Sequence, residues 1–328
     1  MIKMKLLKKL VTLTTAVAIA AAALLTVSCQ GDTTQINIGI IKGPTGVGMA
    51  QLMDKSMNGR SENSYSFTVA SSPDELVPKV MTGEIDIAAL PTNVASTLWS
   101  KTEGKVEMLA VNTLGVLYML ENGDSVNSVA DLKGKTIYTS GQGANPEYVL
   151  RYILSENGID PDNDVTIEFV GTNDELTAVL VSGTAQVAMV PEPSATAALS
   201  KLDSLRRALD MSDEWDKISD TSSLMMGCVV ARSEFIDEHP ELVKSFLEEY
   251  RESVEYCTNV DEVADYCVEQ GIIPSIDIAK AAIPNCNIVY VDGADMKERI
   301  SGYFGVLFDS NPASIGGALP DDSFYYAG

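Results

Sequence analysis

Small polar residues and glycines recur in this sequence directly after predicted strands, where a predicted helix begins. Backbone N–H groups at a helix N-terminus are unpaired and carry a partial positive charge, so they can hold an acidic or polar small molecule. Taken singly, each residue also fits a turn or an N-cap, and only the whole set indicates a binding site. The candidate residues are Gly43, Pro44, Thr45, Gly46, Ser71, Ser72, Thr92, Asn93, Asn112, Thr113, Ser140, Gln142, Gly143, Thr172, Asn173 and Glu192.

Glu192 is the candidate that says most about the ligand. It stands between Pro191 and Pro193, where the other half of the chain has Thr92. Its carboxylate could accept a hydrogen bond from an amine, aminopyrimidine or amide, and it would repel an anion such as nitrate. It could equally cap the helix that follows, because acidic residues favour the first turn. With Lys42 as the only lysine near these loops, we expect an organic ligand with a hydrogen-bond donor.

Residue patterns of catalysis and of metal or cofactor binding are missing from the sequence. The single histidine, His239, precedes Pro240 at a predicted helix start, and neither a GxxxxGK loop nor a GxSxG elbow occurs. Cys228, Cys257, Cys267 and Cys286 lack the spacing of a zinc site and are interpreted as buried thiols or as one structural disulfide. We therefore expect no catalytic residue, no metal, no cofactor and no enzymatic activity.

Alternating strands and helices must position the candidate residues. Apolar runs at 36–41, 67–70, 85–90 and 106–111 predict strands, and segments of helical spacing separate them. This alternation predicts an α/β fold whose mainly parallel sheets are flanked by helices. Ligands of such sheets bind beyond the carboxyl ends of the strands, where the candidate loops lie.

An internal repeat divides the chain into two similar halves. Residues 74–98 and 174–198 align without a gap, and seven of these 25 positions are identical, among them Gly83/Gly183 and Pro91/Pro191. A repeat this long is too large for a solenoid unit and indicates two similarly built lobes. We interpret the apolar runs at 115–121 and 224–231 as hinge strands that connect the lobes, and we expect the helical C-terminal block to pack on the first lobe.

The N-terminus has the layout of a bacterial secretion signal. Lysines 3, 5, 8 and 9 precede the apolar run 10–27, and Ser28-Cys29 is followed by polar residues. This predicts a signal peptide over residues 1–28 and lipidation of Cys29, with residues 29–35 as a tether. An uncleaved anchor helix is the alternative. In either case the remainder lies outside the cytoplasmic membrane, anchored to its outer face.

The charge of the chain excludes one class of partner. The formal charge is −23, and without residues 1–28, which hold four lysines and no acid, it is −27. Nucleic-acid binding needs clustered Lys and Arg side chains, so we expect no nucleic-acid partner.

Four segments of the sequence resemble the substrate-binding proteins of bacterial ABC importers for nitrate, sulfonates, taurine and thiamine-precursor pyrimidines. They are residues 83–88 with Pro91, residues 131–137 (DLKGKTI), residues 191–193 and residues 229–232. The resemblance implies a two-lobed periplasmic-binding-protein-like fold of type II with two hinge crossovers. It also implies a small-molecule ligand in the interlobe cleft, and a permease and an ATPase as partners.

Domain bounds follow from the repeat and from this resemblance. We expect residues 36–120 to begin the first lobe, residues 121–223 to form the second lobe, and residues 224–328 to return and complete the first. Two other functions stay open: an enzyme like the cytoplasmic lyases of the menaquinone pathway, which resemble this fold, and a sensory or adhesive lipoprotein without a transporter. The sequence leaves the identity of the ligand and the oligomeric state open.

Overall fold

The apolar runs of the sequence form strands of two sheets in the computed structural model, which describes residues 34–220 and 222–328. The predicted signal peptide, Cys29 and most of the predicted tether lie outside the described residues. In chain order the strands are β1 (Gln35–Ile41), β2 (Ser64–Ala70), β3 (Ile87–Pro91), β4 (Val106–Leu114), β5 (Leu117–Asn122), β6 (Thr136–Thr139), β7 (Thr166–Phe169), β8 (Val187–Pro191), β9 (Leu205–Asp210), β10 (Met225–Arg232) and β11 (Ile288–Val291).

Helices connect these strands and cover both faces of the sheets. They are α1 (Pro44–Val47), α2 (Ala50–Met57), α3 (Pro73–Met81), α4 (Thr92–Lys101), α5 (Asn145–Glu156), α6 (Asn173–Val181), α7 (Ser194–Leu199), α8 (Met211–Asp216), α9 (Ser233–Glu238), α10 (Pro240–Glu255), α11 (Val260–Glu269), α12 (Ile276–Ala282) and α13 (Gly293–Ser310). Short 3-10 helices span Val129–Leu132, Tyr256–Thr258, Ile283–Asn285, Pro312–Ile315 and Asp322–Phe324. Several α-helices begin with proline, whose fixed φ suits the first turn.

Two sheets define two lobes within the described residues. The first lobe holds a six-stranded sheet of order β11-β4-β10-β3-β1-β2, and the second holds a five-stranded sheet of order β7-β6-β8-β5-β9. Omitting β11, the two orders correspond strand by strand, and the repeated segments form α3-β3-α4 in one lobe and α6-β8-α7 in the other. The expected two-lobed α/β architecture is therefore confirmed.

Both sheets are mixed, which corrects the expectation of mainly parallel sheets. The pairs β1–β3, β6–β7 and β6–β8 are parallel, whereas β5 and β10 each run antiparallel to both of their neighbours. These two strands are the runs that we interpreted as hinge strands connecting the lobes. Their side chains are buried almost throughout, so the strands need partners on both sides, and they find them inside the sheets.

The crossings between the lobes are consequently short. The first falls at Gly115 and Val116, before the expected boundary at 120/121, because β5 already belongs to the second sheet. The second lies between α8 and β10. A methyl group on Gly115 would come within 2.2 Å of the Ser212 hydroxyl oxygen of α8 and within 3.0 Å of the Leu224 side chain in the second crossing, so a side chain at this position requires its neighbours to shift.

The C-terminal block packs on the first lobe and also reaches the second. Helices α10 and α11 pack against α2, and β11 pairs with β4. Helix α13 lies between β4 and α5. There Trp215 of the second lobe packs between Tyr152 and Tyr303, with tilted rings whose centres are 4.6 and 5.5 Å from that of Trp215. The resulting apolar core is continuous across one face of the second sheet and holds the lobes together there.

The four cysteines among the described residues are free thiols. Cys228, Cys267 and Cys286 are buried, and Cys257 is half-buried. Burial raises the pKa of the Cys257 and Cys267 thiols to about 12, so these groups stay protonated and unreactive at neutral pH. Of the two interpretations from the sequence, buried thiols agree with the structure.

Candidate functional site

A cavity of about 1100 Å³ opens between the lobes where the carboxyl ends of their strands face each other. It lies on the side of the second lobe that carries α6 and α7. The C-terminal block, which packs on the first lobe, forms the opposite wall. Its lining residues come from the ends of β1 and β2, from α6 and α7, and from the turn between α11 and α12: Lys42, Gly43, Ser71, residues 172–174, Pro193, Ser194, Ala197, Lys201, residues 271–274 and Ile278 among others. A pocket of this size can enclose a small organic molecule.

The first lobe contributes the end of β1. Gly43 donates its backbone N–H to the carbonyl oxygen of Ile272 at 3.1 Å, which fixes the loop to the C-terminal block. Its backbone, at φ 98° and ψ −156°, is in a region that is open essentially only to glycine. The adjacent Lys42 is exposed and lines the cavity.

The second lobe contributes the N-terminus of α6. Thr172 caps this helix, its hydroxyl accepting from the Glu175 N–H at 3.1 Å. Asn173 begins the helix, and its side-chain oxygen accepts from the Ser140 hydroxyl at 2.6 Å. The helix is nine residues long, so its first N–H groups present a partial positive charge to the cavity.

The charged side chains that line the cavity are Lys42, Asp174 and Lys201. Lys42 belongs to the first lobe and Lys201 to the second, at the end of α7, and both are exposed. Two cations against one carboxylate, together with the N-terminus of α6, make the cavity favourable for an acidic group.

Gly43, Ser71, Thr172 and Asn173 are the predicted binding residues that the structure brings together around this cavity. The others lie at the facing edges of the sheets but outside its lining. Thr92 donates to the Met225 carbonyl at 2.7 Å, and Asn112 donates to the Thr45 carbonyl at 3.2 Å and accepts from Thr113 at 3.0 Å. These side chains satisfy buried backbone and side-chain groups, which is why they are polar.

The remaining predicted residues have local roles or lie in the outer loops. Ser72 precedes α3, Pro44 and Gly46 belong to α1, and the Asn93 amide lies 3.5 Å from the Ser314 carbonyl oxygen. Gln142 is exposed, and Gly143, with φ 73°, donates its N–H to Glu147 at 2.7 Å.

Glu192 faces away from the cavity. Its carboxylate is only 2 % exposed and accepts from the N–H and the hydroxyl of Thr196, at 3.1 and 3.0 Å. It also forms an ion pair with the guanidinium of Arg207. Burial raises the pKa of Glu192, and the contacts with Thr196 and Arg207, which act to lower the pKa, only partly offset burial. The contacts agree with the capping interpretation and remove the ground for deducing the ligand's chemistry from Glu192.

Arg207 and Asn145 are residues that sequence reasoning missed. Arg207 reaches Glu192 from β9, two strands away in the sheet, so sequence spacing gives no sign of the pair. Asn145 begins α5 at the carboxyl end of β6 and is 3 % exposed, and neither atom of its amide has a hydrogen-bond partner among the described residues. The loop Ser-Gly-Gln-Gly-Ala, which precedes Asn145, indicated a site at this edge of the sheet. Sequence reasoning selected Gln142 and Gly143 from that loop instead of Asn145.

Residues 105–264 match the family model described as NMT1/THI5 like. No curated protein matches the sequence. None of the helices in the described part of the chain has the length and apolar character needed to cross a membrane.

Solved structures of binding proteins share the fold over most of the chain. An ABC transporter protein from Parabacteroides distasonis is 24% identical, with a TM-score of 0.76 over 89% of this chain and 99% of its own. The periplasmic aliphatic sulphonate binding protein SsuA from Escherichia coli is 14% identical, with a TM-score of 0.71 over 89% and 92%. The periplasmic nitrate-binding protein NrtA from Synechocystis is 15% identical, with a TM-score of 0.55 over 75% and 69%. The family match and these structures confirm the resemblance and the fold predicted from the sequence.

Proposed function

We propose that this chain, which has the fold of ABC-importer solute-binding proteins, is an extracytoplasmic binding lipoprotein that delivers a small organic molecule to a permease. The observation that carries the proposal is the cavity of about 1100 Å³ lined by residues of both lobes. A ligand there touches both lobes at once, so its binding can draw them together, which is the hinge mode of ligand capture. The names of the structural neighbours support a binding role rather than catalysis.

We further propose that the ligand bears an acidic group. Lys42 and Lys201 line the cavity from opposite lobes, and the capped N-terminus of α6 opens into it. The Glu192 carboxylate, which from the sequence argued against an anion, is neutralised by Arg207 and points elsewhere. Asp174 could accept a hydrogen bond from a donor on the same ligand, which keeps an organic molecule preferable to a bare inorganic anion.

Anchoring and location follow from the N-terminal sequence. Lipidation of Cys29 after removal of residues 1–28 would hold the lobes at the outer face of the membrane, beside a permease and its ATPase. The tether of about seven residues spans at most roughly 25 Å when extended, which keeps the binding lobes near the transporter.

A thermal-shift screen of the protein lacking residues 1–28 tests the proposal. The panel consists of sulfonates, carboxylates and amino acids, pyrimidines, flavins and nitrate. A ligand at 100 times its dissociation constant adds about 2.7 kcal/mol to the free energy of unfolding, a shift of several degrees. We expect an organic acid to give the largest shift. A shift confined to neutral pyrimidines or to nitrate would contradict the acidic-ligand proposal, and no shift with any class would contradict the binding function.

A further inference from the structure

Arg207 lies between the wall of the cavity and the first lobe. On one side its guanidinium pairs with Glu192 and donates to the Thr196 hydroxyl at 3.0 Å. On the other side it donates from Nη1 to the side-chain oxygen of Asn285 at 3.0 Å. One side chain of the second lobe therefore contacts both the start of α7 and the C-terminal block.

The start of α7 is also the wall of the cavity. Pro193, Ser194 and Ala197 line the cavity, whereas Glu192 and Thr196, on the same turn, contact Arg207. Because two hydrogen bonds and an ion pair hold this turn, a movement of Arg207 should also move the residues of the turn that line the cavity.

Asn285 is held by the first lobe. Ile283, two residues earlier, belongs to the apolar core around β1, and β11, which follows, pairs with β4. Asn287 accepts from the Leu114 N–H at 3.1 Å and donates its amide to the Gly115 carbonyl at 2.5 Å, at the first crossing. Asn285 therefore moves together with the first lobe.

Tyr118 forms a second link from the second lobe to the same residue. Its hydroxyl donates to the Asn285 carbonyl at 3.0 Å, and its ring lies under the Arg207 guanidinium, 4.7 Å from the ring centre. The Arg207 side chain is 30 % exposed, so water can replace Asn285 as its partner. The links can break without stranding a buried charge, since Glu192 and Arg207 stay paired within the second lobe.

The opposite face of the second sheet behaves differently. There Tyr152, Trp215 and Tyr303 pack in a continuous apolar core, and separating them would expose buried aromatic surface to water. Separation of the lobes is therefore easier on the side of the cavity than on the aromatic side.

We propose that Arg207, Tyr118 and Asn285 form an interlobe latch that holds the lobes in the arrangement seen here and couples their angle to the wall of the cavity. When the latch opens, the lobes part on the cavity side about the aromatic core, and the start of α7 loses its link to the first lobe. The effect of the latch on the angle between the lobes does not depend on the proposed function. The coupling to a bound solute rests on the proposed function.

The test uses the protein lacking residues 1–28 with no ligand added, so the outcome of the ligand screen does not affect it. Asn285→Ala combined with Tyr118→Phe removes the Asn285 amide and the Tyr118 hydroxyl, which make the two interlobe hydrogen bonds. It leaves Glu192 paired with Arg207. We expect a larger radius of gyration in small-angle scattering. We also expect amide hydrogen exchange over residues 191–199 to be at least about fivefold faster, the effect of about one lost hydrogen bond.

The matched control is Asn157→Ala combined with Tyr256→Phe. It removes an amide and a hydroxyl of the same kinds, whose partners, Ile153 and Glu262, lie within their own lobes. Asn285→Ala alone serves if the double variant does not fold, and it should give a smaller change in the same direction. A radius and exchange rates equal to those of the control, in a folded variant, would overturn the latch.

Discussion

Gly43 and Pro193 face each other across the cavity, so that a methyl group on Gly43 would lie 3.9 Å from Cδ of Pro193. Gly43 follows β1 of the first lobe, and Pro193 follows β8 of the second. A side chain at residue 43 would thus contact the second lobe here, and glycine leaves this space between the lobes open.

Gly43→Ala should destabilise the protein by about 1–3 kcal/mol, because its φ and ψ lie in a region that is unfavourable for any residue with a Cβ. Urea denaturation measures the change. The matched control is Gly59→Ala, where φ is also positive but a methyl group meets nothing within 4 Å and no lobe contact is involved. We expect both variants to lose stability and only Gly43→Ala to weaken binding of the ligand that the screen selects. Equal binding by the two variants would contradict a role for Gly43 in the cavity.

Lys42→Gln and Lys201→Gln should each weaken binding of an acidic ligand by about three- to tenfold, because each removes one exposed charge from the cavity. Titration calorimetry at two salt concentrations measures the effect, and the loss should shrink at high salt, where screening weakens these charges. Lys217→Gln is the control, since this lysine pairs with Glu214 outside the cavity. Wild-type affinity in both cavity variants would refute the acidic-ligand proposal.

Glu121 should make stability depend on pH. Burial acts to raise the pKa of its carboxyl, but hydrogen bonds from Ser125, Val126 and Arg206 outweigh burial and lower the pKa. A lowered pKa in the folded state adds stability above the unfolded value of about 4.3, and this stability is lost as the pH falls through the folded value. Glu121→Gln should therefore cost about 2–4 kcal/mol at pH 7 and clearly less at pH 3.

Urea denaturation at both pH values measures this difference, with Glu168→Gln, an exposed carboxylate on β7, as the control. The control should change stability little at either pH. A cost for Glu121→Gln that is the same at pH 3 and pH 7 would show that packing, and not charge, is what the substitution removes.

Cys29→Ala in the full-length chain should abolish membrane attachment or block processing of the signal, because the thiol is the group that lipidation needs. Fractionation of cells, followed by immunoblotting, separates the processed and unprocessed forms. Cys257→Ala, at a half-buried thiol within the lobes, is the control and should leave attachment unchanged. A Cys29 variant whose attachment and processing equal those of the wild type would refute the lipoprotein assignment. An attached and unprocessed chain in both would support the uncleaved anchor helix.

Sequence patterns predicted β1, β3 and β4 because each is a short apolar run with buried side chains on both faces. They could not show which sheet a strand joins. The runs that form β5 and β10 look alike, and only the folded chain shows that each is inserted between two strands of a lobe. Strand β9 escaped notice because Arg206 and Arg207 interrupt its apolar pattern. Strand β11 is an apolar run of only four residues, Ile288–Val291, within the block that we interpreted as helical.

The candidate site was predicted in part for a related reason. Gly43, Ser71, Thr172 and Asn173 follow strand ends, so the rule that ligands bind at the carboxyl edge identified them. The same rule selected residues such as Thr92 and Asn112, because a loop at that edge looks alike whether it faces a cavity or a neighbouring loop. Lys201 and the turn at 271–274 come from helix ends and the C-terminal block, whose position depends on tertiary packing.

The positions of β5 in the second sheet and of β10 in the first also constrain the order in which the protein can fold. Until β10, at residues 225–232, is available to the folding chain, the first sheet has an open slot between β3 and β4, whose facing edges are unpaired. The second lobe receives β5 at once, since that strand immediately precedes it in the chain. The second lobe can therefore complete its sheet before the first, although the first begins earlier in the chain, and the unpaired edges of β3 and β4 are exposed to wrong pairing in that interval.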